Sequence, residues 1–118
     1  MDQIKEIVEL LIGLVPEDWE RIILRGIILS GSYEFEYYFE NSDGKLVQYY
    51  ELVKAGVFTD RDMHNVFRKM RKLSNAMLEN ANDKWKSYVL TVDKKYHFTV
   101  DYDYDEPEIG NEWINNYK

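Results

Sequence analysis

Apolar residues recur with helical spacing in two parts of the chain. The first stripe lies within residues 3–15 and consists of Ile4, Ile7, Val8, Leu11, Leu14 and Val15. The second consists of Met63, Val66, Phe67, Met70, Leu73 and Met77. Each stripe predicts an amphipathic helix that packs one side against a sheet. Thr59 stands three residues before Asp62, which resembles a capping box at the start of a second helix that runs to about residue 80.

Strand patterns fill the region between these two helices. Residues 21–29 are apolar on both alternating sets, which is typical of a central strand covered on both faces, and Gly26 within them suggests a bulge. Residues 33–40 alternate aromatic and mostly acidic side chains. A turn at Asp43-Gly44 leads into a third predicted strand over residues 45–52.

A second hairpin is predicted after the second helix, with strands over residues 85–92 and 96–104. Asp105 then predicts a cap, and Pro107 the first turn, of a short terminal helix. The element order is α-β-β-β-α-β-β with a short C-terminal helix. We therefore predict one α+β domain over residues 1–118, an antiparallel sheet of about five strands with its helices mainly on one face.

Acidic residues are concentrated near the C-terminus. The chain has 22 acidic and 15 basic residues and a formal charge of −7, and residues 101–112 contain six acids and no Lys or Arg. On an extended strand, Asp101, Asp103 and Asp105 share one face, and the neighbouring aromatic residues share the other. Direct binding to nucleic acid is disfavoured, because affinity for phosphate backbones comes mainly from Lys and Arg.

Catalytic motifs do not stand out in the sequence. The chain has no Cys, and its two histidines, His64 and His97, lie in no recognisable motif. We therefore predict no enzyme, no catalytic residue and no cofactor. The N-terminal residues lack the pattern of a secretory signal and no apolar run reaches membrane-spanning length, which favours a cytoplasmic protein without a membrane partner.

The alternating acids near the C-terminus resemble the opening of a calcium loop. Asp101, Asp103 and Asp105 have the right spacing, and Glu112 falls at the twelfth position. The sixth position, however, is Glu106 where the sharp turn of such a loop needs Gly. We therefore predict no metal ligand.

Six features spread along nearly the whole chain form one arrangement: residues 15–20, the aromatic strand at 33–39, the helix with Phe67, Met70 and Leu73, Trp85, residues 98–104, and Trp113. This arrangement resembles the YezG-type family of bacterial immunity proteins, the antitoxins of secreted polymorphic toxins in Gram-positive bacteria. The resemblance implies a cytoplasmic protein that is not an enzyme and that binds and neutralises a cognate toxin, in the best-known branch a nuclease.

The acidic C-terminal hairpin is the predicted partner-binding surface. A nuclease carries basic residues to hold nucleic acid, and an acidic patch can compete for that surface and accelerate encounter. Two roles stay open for the acids: they mimic phosphates directly, or they steer binding to a neighbouring site. The predicted contact acids are Asp101, Asp103, Asp105, Glu106 and Glu108, followed by Glu34 and Glu36, with Tyr102 and Tyr104 as anchors.

Three alternatives remain open from the residues alone. The acids between Asp101 and Glu112, together with His97, would serve a small metal-dependent enzyme. The Tyr-rich sheet would suit a self-associating structural subunit. The same acids would also suit a solvated strand edge that deters aggregation.

Overall fold

In a computed structural model, which describes residues 2–108 and 110–118, five antiparallel strands form one sheet in the order β3-β2-β1-β4-β5. The strands are β1 (Arg21–Leu29), β2 (Ser32–Glu40), β3 (Leu46–Gln48), β4 (Ser87–Asp93) and β5 (Phe98–Asp103). The helices are α1 (Asp2–Ile12), α2 (Tyr49–Lys54), α3 (Asp60–Glu79) and a C-terminal 3-10 helix (Glu112–Tyr117). The predicted α+β fold is confirmed.

The central strand β1 is buried on both faces, as its sequence predicts. Leu24 and its alternating neighbours pack with residues of α1 and α3 in the main core, whereas Ile23 belongs to a smaller core on the opposite face. The predicted bulge at Gly26 is wrong, because the pairing of β1 with β2 and β4 continues through that residue. Gly26 instead lies where the rings of Phe35 and Tyr88 approach the strand.

The start of α3 has the predicted cap. Thr59 Oγ1 accepts a hydrogen bond from the backbone N–H of Asp62, and the carboxylate of Asp62 accepts one from the N–H of Thr59. These two bonds satisfy donors that a helix leaves without internal partners. The apolar stripe of α3 faces the sheet, with Met63, Phe67 and Met70 buried in the main core.

The third strand is shorter than its alternating pattern predicts. β3 ends at Gln48, and α2 begins at the next residue. Tyr49 stacks on Tyr37 with ring centroids 5.4 Å apart and lies edge-on to Phe67, and the helical turn also brings Leu52 into the core. Packing of an aromatic and a leucine against the main core therefore overrides the strand pattern of residues 45–52.

The predicted start of the terminal helix is also wrong. Residues 104–108 are not helical, and the 3-10 helix begins at Glu112. The carboxylate of Asp103 accepts a hydrogen bond from the N–H of Asp105, and Lys86 forms an ion pair with Glu106. A side chain that bonds to the backbone two residues on stabilises a turn, which here competes with a helix.

Among the described residues, no helix is long and apolar enough to cross a membrane.

Two buried phenols predict a loss of stability at high pH. Tyr37 donates its hydroxyl hydrogen to Leu14 O at 2.7 Å, and the hydroxyls of Tyr88 and Ser74 share a hydrogen bond of 2.8 Å. Burial is the main cause that raises the pKa of both phenols far above the ordinary value near 10.

Above pH 10 the unfolded chain therefore loses protons that the folded chain keeps. Each phenol then lowers the free energy of unfolding by about 1.4 kcal/mol per pH unit. Urea unfolding at a series of alkaline pH values measures this slope, and Tyr88→Phe should reduce it. A slope that Tyr88→Phe leaves unchanged would contradict the assignment for Tyr88.

Candidate partner-binding site

The C-terminal segment, residues 104–108 and 110–118, packs on the face of the sheet opposite α1 and α3. Its Trp113 and Ile114 join Ile23 and Tyr38 in the smaller core, with partly buried Leu46, Val89 and Tyr117 around them. Trp113 is 7% exposed, and its ring lies edge-on to Tyr38 at 5.7 Å. A tryptophan near the end of the chain thus attaches the whole segment to the sheet.

Two arginines of β1 hold the backbone of the C-terminal segment. Arg25, which is 6% exposed, donates from its two terminal nitrogens to the carbonyls of Glu108 at 3.0 Å and Gly110 at 2.9 Å. Its guanidinium also lies over the ring of Trp113, 5.2 Å from the centroid. Arg21 donates to the carbonyl of Tyr117 at 2.8 Å. Because the two arginines are four residues apart on one strand, they point to the same face.

A cleft of about 440 Å³ lies between the C-terminal segment and the outer face of β4 and β5. We call it the acidic cleft, because five carboxylate residues line it. Arg25 is the one Lys or Arg among its described lining residues, and that guanidinium already donates to two carbonyls. The carboxylates are those of Asp101, Asp103, Asp105, Glu106 and Glu108. The structure therefore brings the five leading predicted contact acids together around one concavity.

Three of these carboxylates have partners within the chain. Asp101 Oδ2 accepts a hydrogen bond from the hydroxyl of Tyr117 at 3.1 Å. Burial first, and then the carboxylate of Asp101, raise the pKa of Tyr117 to about 12, so the phenol stays protonated as a donor. Asp103 accepts from the N–H of Asp105, and Glu106 pairs with Lys86. All five acids are exposed, so these contacts orient them without removing them from solvent.

Of the two predicted anchor tyrosines, Tyr102 is among the residues that line the acidic cleft, and Tyr104 is not. Tyr102 pairs across the sheet with Tyr88, on the face of α1 and α3, and its ring lies 5.5 Å from that of Trp85. Tyr102 is 42% exposed and Tyr104 is 52% exposed. Both rings are thus available to a partner, but Tyr102 points to the face opposite Asp101.

The two β2 acids are not part of the cleft lining. Glu34 is exposed on β2. Glu36 is half-buried, and its two oxygens accept hydrogen bonds from the indole N–H of Trp113 and the amide of Gln48. Glu36 therefore helps to seat the C-terminal segment.

The sequence pattern does not identify the residues that build the wall of the acidic cleft. Arg25 and Trp113 hold the segment, yet neither was a predicted functional residue. A single charged residue inside the otherwise apolar run of residues 22–29 was the available signal, because a buried charge needs partners. Those partners are backbone carbonyls more than 80 positions away, which no local pattern reveals.

Metal ligands are not gathered in the described parts of the chain, where no group of three His, Asp or Glu side chains could hold an ion. His97, named in the metal-enzyme alternative, is exposed at the β4–β5 turn, with Nδ1 3.4 Å from Asp93 Oδ2. It does not line the acidic cleft.

Comparison with known proteins gives the family. The family model described as "Immunity protein YezG-like" matches residues 1–117. The chain belongs to the YezG-like immunity protein family. This YezG-like chain is also similar to the protein named Immunity protein YezG of Bacillus subtilis (strain 168), with 24% identity over 103 residues that cover 83% of this chain and 68% of the relative. The predicted family is confirmed, and membership supports an immunity role and implies a toxin partner.

Proposed function

We propose that this protein is an antitoxin that neutralises a cognate secreted toxin, a nuclease, by covering a basic surface of the toxin with the acidic cleft. The observation that carries the proposal is the convergence of five carboxylates on one cleft, with a single lining cation among the described residues that is already engaged. Family membership supports the immunity role, and the charge of the cleft favours a basic partner surface.

Electrostatic complementarity explains how such a cleft inhibits a nuclease. A nuclease binds phosphates through Lys and Arg, and carboxylates held at a similar spacing compete for the same cations. Opposite charge also steers the two proteins together, which raises the association rate constant at low salt. We place this event in the cytoplasm of the producing cell, without a catalytic step by this chain.

The wall of the acidic cleft limits the entropic cost of binding. Trp113 is buried, and Arg25 donates hydrogen bonds to two backbone carbonyls of the C-terminal segment, those of Glu108 and Gly110. Side chains carried on a segment that is already packed lose less freedom when a partner arrives. The acids are therefore presented on a framework that is folded before the toxin binds.

Affinity capture of the tagged full chain from its host is the first experiment. After a moderate-salt wash, mass spectrometry should identify a secreted-type protein with a basic toxic domain in near-equal amount. Purified toxin domain then allows a nuclease assay with and without this protein. A captured toxin that lacks nuclease activity would overturn the nuclease part of the proposal and leave the immunity role.

Neutralising three cleft acids should slow association with the captured toxin domain by about tenfold at low ionic strength. The variant combines Asp101→Asn, Asp105→Asn and Glu108→Gln. It keeps Asp103, whose carboxylate accepts the N–H of Asp105, and Glu106, which pairs with Lys86. Stopped-flow or surface binding measures the rate constants. The difference from the wild type should shrink at high salt, because salt screens exposed charges.

A matched control separates the cleft from net charge. Asp43→Asn, Asp83→Asn and Glu20→Gln remove three exposed acids that do not line the cleft. This control should change the association rate constant by less than about twofold. Equal slowing in both triple variants would show that total charge alone steers the encounter, and no slowing in the cleft variant would overturn the site.

A further inference from the structure

β5 leaves one edge of the sheet without a partner strand in the described parts of the chain. The opposite edge, β3, is three residues long and leads directly into α2, whereas β5 has six residues. The N–H of Asp93 donates to His97 O, and bonded pairs alternate along an antiparallel ladder. Thr99 and Asp101 therefore bond to β4, and Phe98, Val100 and Tyr102 point their backbone N–H and C=O groups away from it.

An apolar groove runs beside the same edge. It has a volume of about 440 Å³ and lies between α1 and β5, where Val8, Ile12, Phe98 and Tyr96 line it and Lys5 and Glu9 flank it. Phe98 and Val100 are partly buried residues that pack on the main core. Ile12, Tyr96 and Phe98 are therefore incompletely covered, on the side of the sheet where β5 is the last strand. One more strand would cover this surface and also satisfy the free backbone groups of β5.

The two faces of β5 specify the side chains of such a strand. Phe98, Val100 and Tyr102 face the layer of α1 and α3, and Thr99, Asp101 and Asp103 face the side of the acidic cleft. Cross-strand neighbours of opposite charge stabilise a sheet, and like charges destabilise it. An added strand that fits both faces therefore alternates apolar residues with Lys or Arg.

A second copy of this chain fits the edge less well. Each copy has a formal charge of −7, and pairing two β5 strands would bring Asp101 and Asp103 of both copies to the same face. Repulsion between these carboxylates disfavours that pairing. A basic segment from another protein has no such repulsion.

We propose that β5 accepts an extended segment of the toxin, in which apolar residues alternate with Lys or Arg, as a sixth strand of the sheet. The proposal rests on the proposed function, because Asp101 and Asp103 belong both to β5 and to the acidic cleft. Backbone hydrogen bonds supply affinity, and the alternating side chains supply specificity. The toxin then contacts the groove, the edge and the cleft as one continuous surface.

A synthetic peptide tests this without the toxin. The full chain, labelled with nitrogen-15, is mixed at millimolar concentration with a peptide that alternates lysine and valine over nine residues. Amide hydrogen exchange should slow by about tenfold or more at Phe98, Val100 and Tyr102, and stay unchanged at Thr99 and Asp101, which already bond to β4. Slower amide exchange at every second residue of β5 is specific to the addition of a strand.

Two control peptides exclude simpler explanations. A peptide of the same composition with its lysines in one block and its valines in another tests for charge alone. A peptide that alternates glutamate and valine tests for alternation alone. Neither should slow exchange at Val100. The proposal is overturned if no peptide slows exchange at the outward amides, or if the block peptide slows it equally.

A pair of substitutions tests the backbone itself. Val100→Pro removes an N–H that points away from β4, which an edge strand tolerates, whereas Val100→Ala removes only side-chain atoms. Val100→Pro should weaken binding of the alternating peptide at least tenfold, and Val100→Ala by only a few-fold. If Val100→Pro does not fold, the exchange pattern of the wild type decides alone.

Sedimentation of the free chain tests for the other occupant. Dimerisation that slows exchange at Val100 without peptide would overturn the proposal and assign the edge to a second copy. Failure of the edge proposal leaves association with the toxin, and its dependence on the cleft acids, unchanged. If this protein binds no toxin, the proposed function fails, and the edge proposal fails with it because it names a toxin segment as the added strand.

Discussion

Replacing Trp113 with alanine is expected to lower the free energy of unfolding by about 3–5 kcal/mol. The ring is buried between Tyr38 and Arg25, so its removal leaves a cavity in the smaller core. The indole N–H also donates to Glu36, and a half-buried carboxylate that loses its donor adds to the cost. Urea unfolding followed by far-ultraviolet circular dichroism measures the change.

Two further variants show which part of the tryptophan matters. Trp113→Phe keeps an aromatic ring but removes the donor to Glu36. Its free energy of unfolding should therefore lie between that of the wild type and that of Trp113→Ala. Tyr104→Ala truncates a 52% exposed aromatic of the same segment and should cost less than about 0.5 kcal/mol. A cost below about 1 kcal/mol for Trp113→Ala would show that the segment is not packed on the sheet as described.

The same substitution links stability to binding. Trp113 and Arg25 seat the segment that carries Glu108 into the acidic cleft. If Trp113→Ala still folds, its affinity for the toxin should fall although no contact acid has changed. Loss of affinity would then reflect the entropy needed to reorder the segment.

The sequence predicts α3 and β1 correctly, because the residues that determine each element lie within it or next to it. The stripe of α3 and its capping box lie within a few residues of each other, so helix type and start are both confirmed. β1 is apolar on both alternating sets, and its central position follows from burial on both faces. In each case the residues that determine the element are its own.

Elements that depend on distant partners were not predicted. Residues 45–52 alternate like a strand, yet Tyr49 finds Tyr37 and Phe67 in the core, and the chain turns into α2. Likewise, Asp105 resembles a helix cap, but the N–H of Asp105 bonds back to Asp103. Tertiary packing and side-chain bonds to the backbone decide both segments, and neither is visible in a local pattern.

The candidate site also has a part that the sequence predicts and a part that depends on distant contacts. The acids from Asp101 to Glu108 were found because charge density is a property of the sequence itself. Their convergence on one cleft depends on Arg25 and Trp113, which bring the C-terminal segment back across the sheet. Glu36 shared the composition of a contact residue, but its bonds to Trp113 and Gln48 place it among the groups that seat the segment.

Gly26→Ala is expected to destabilise the fold by about 2–3 kcal/mol, although adding a methyl group to a strand glycine usually stabilises it. A Cβ at this position would lie 2.8 Å from the Cζ atom of Tyr88 and 2.9 Å from the Cε1 atom of Phe35. The hydroxyl of Tyr88 is bonded to Ser74, and Phe35 packs on Phe67 at 5.6 Å. Both rings are therefore restrained, and β1 is paired on both sides through this residue.

Gly13→Ala is the matched control, because a Cβ there meets its nearest atom, Leu10 O, at 3.4 Å. It should change the free energy of unfolding by less than about 1 kcal/mol, with stabilisation favoured by the loss of freedom in the unfolded chain. Adding Phe35→Leu to Gly26→Ala should recover part of the loss, because the two sites share one space and their effects are not additive. Wild-type stability in Gly26→Ala would mean that the rings can move aside, and would remove close packing as the reason for glycine at the centre of the sheet.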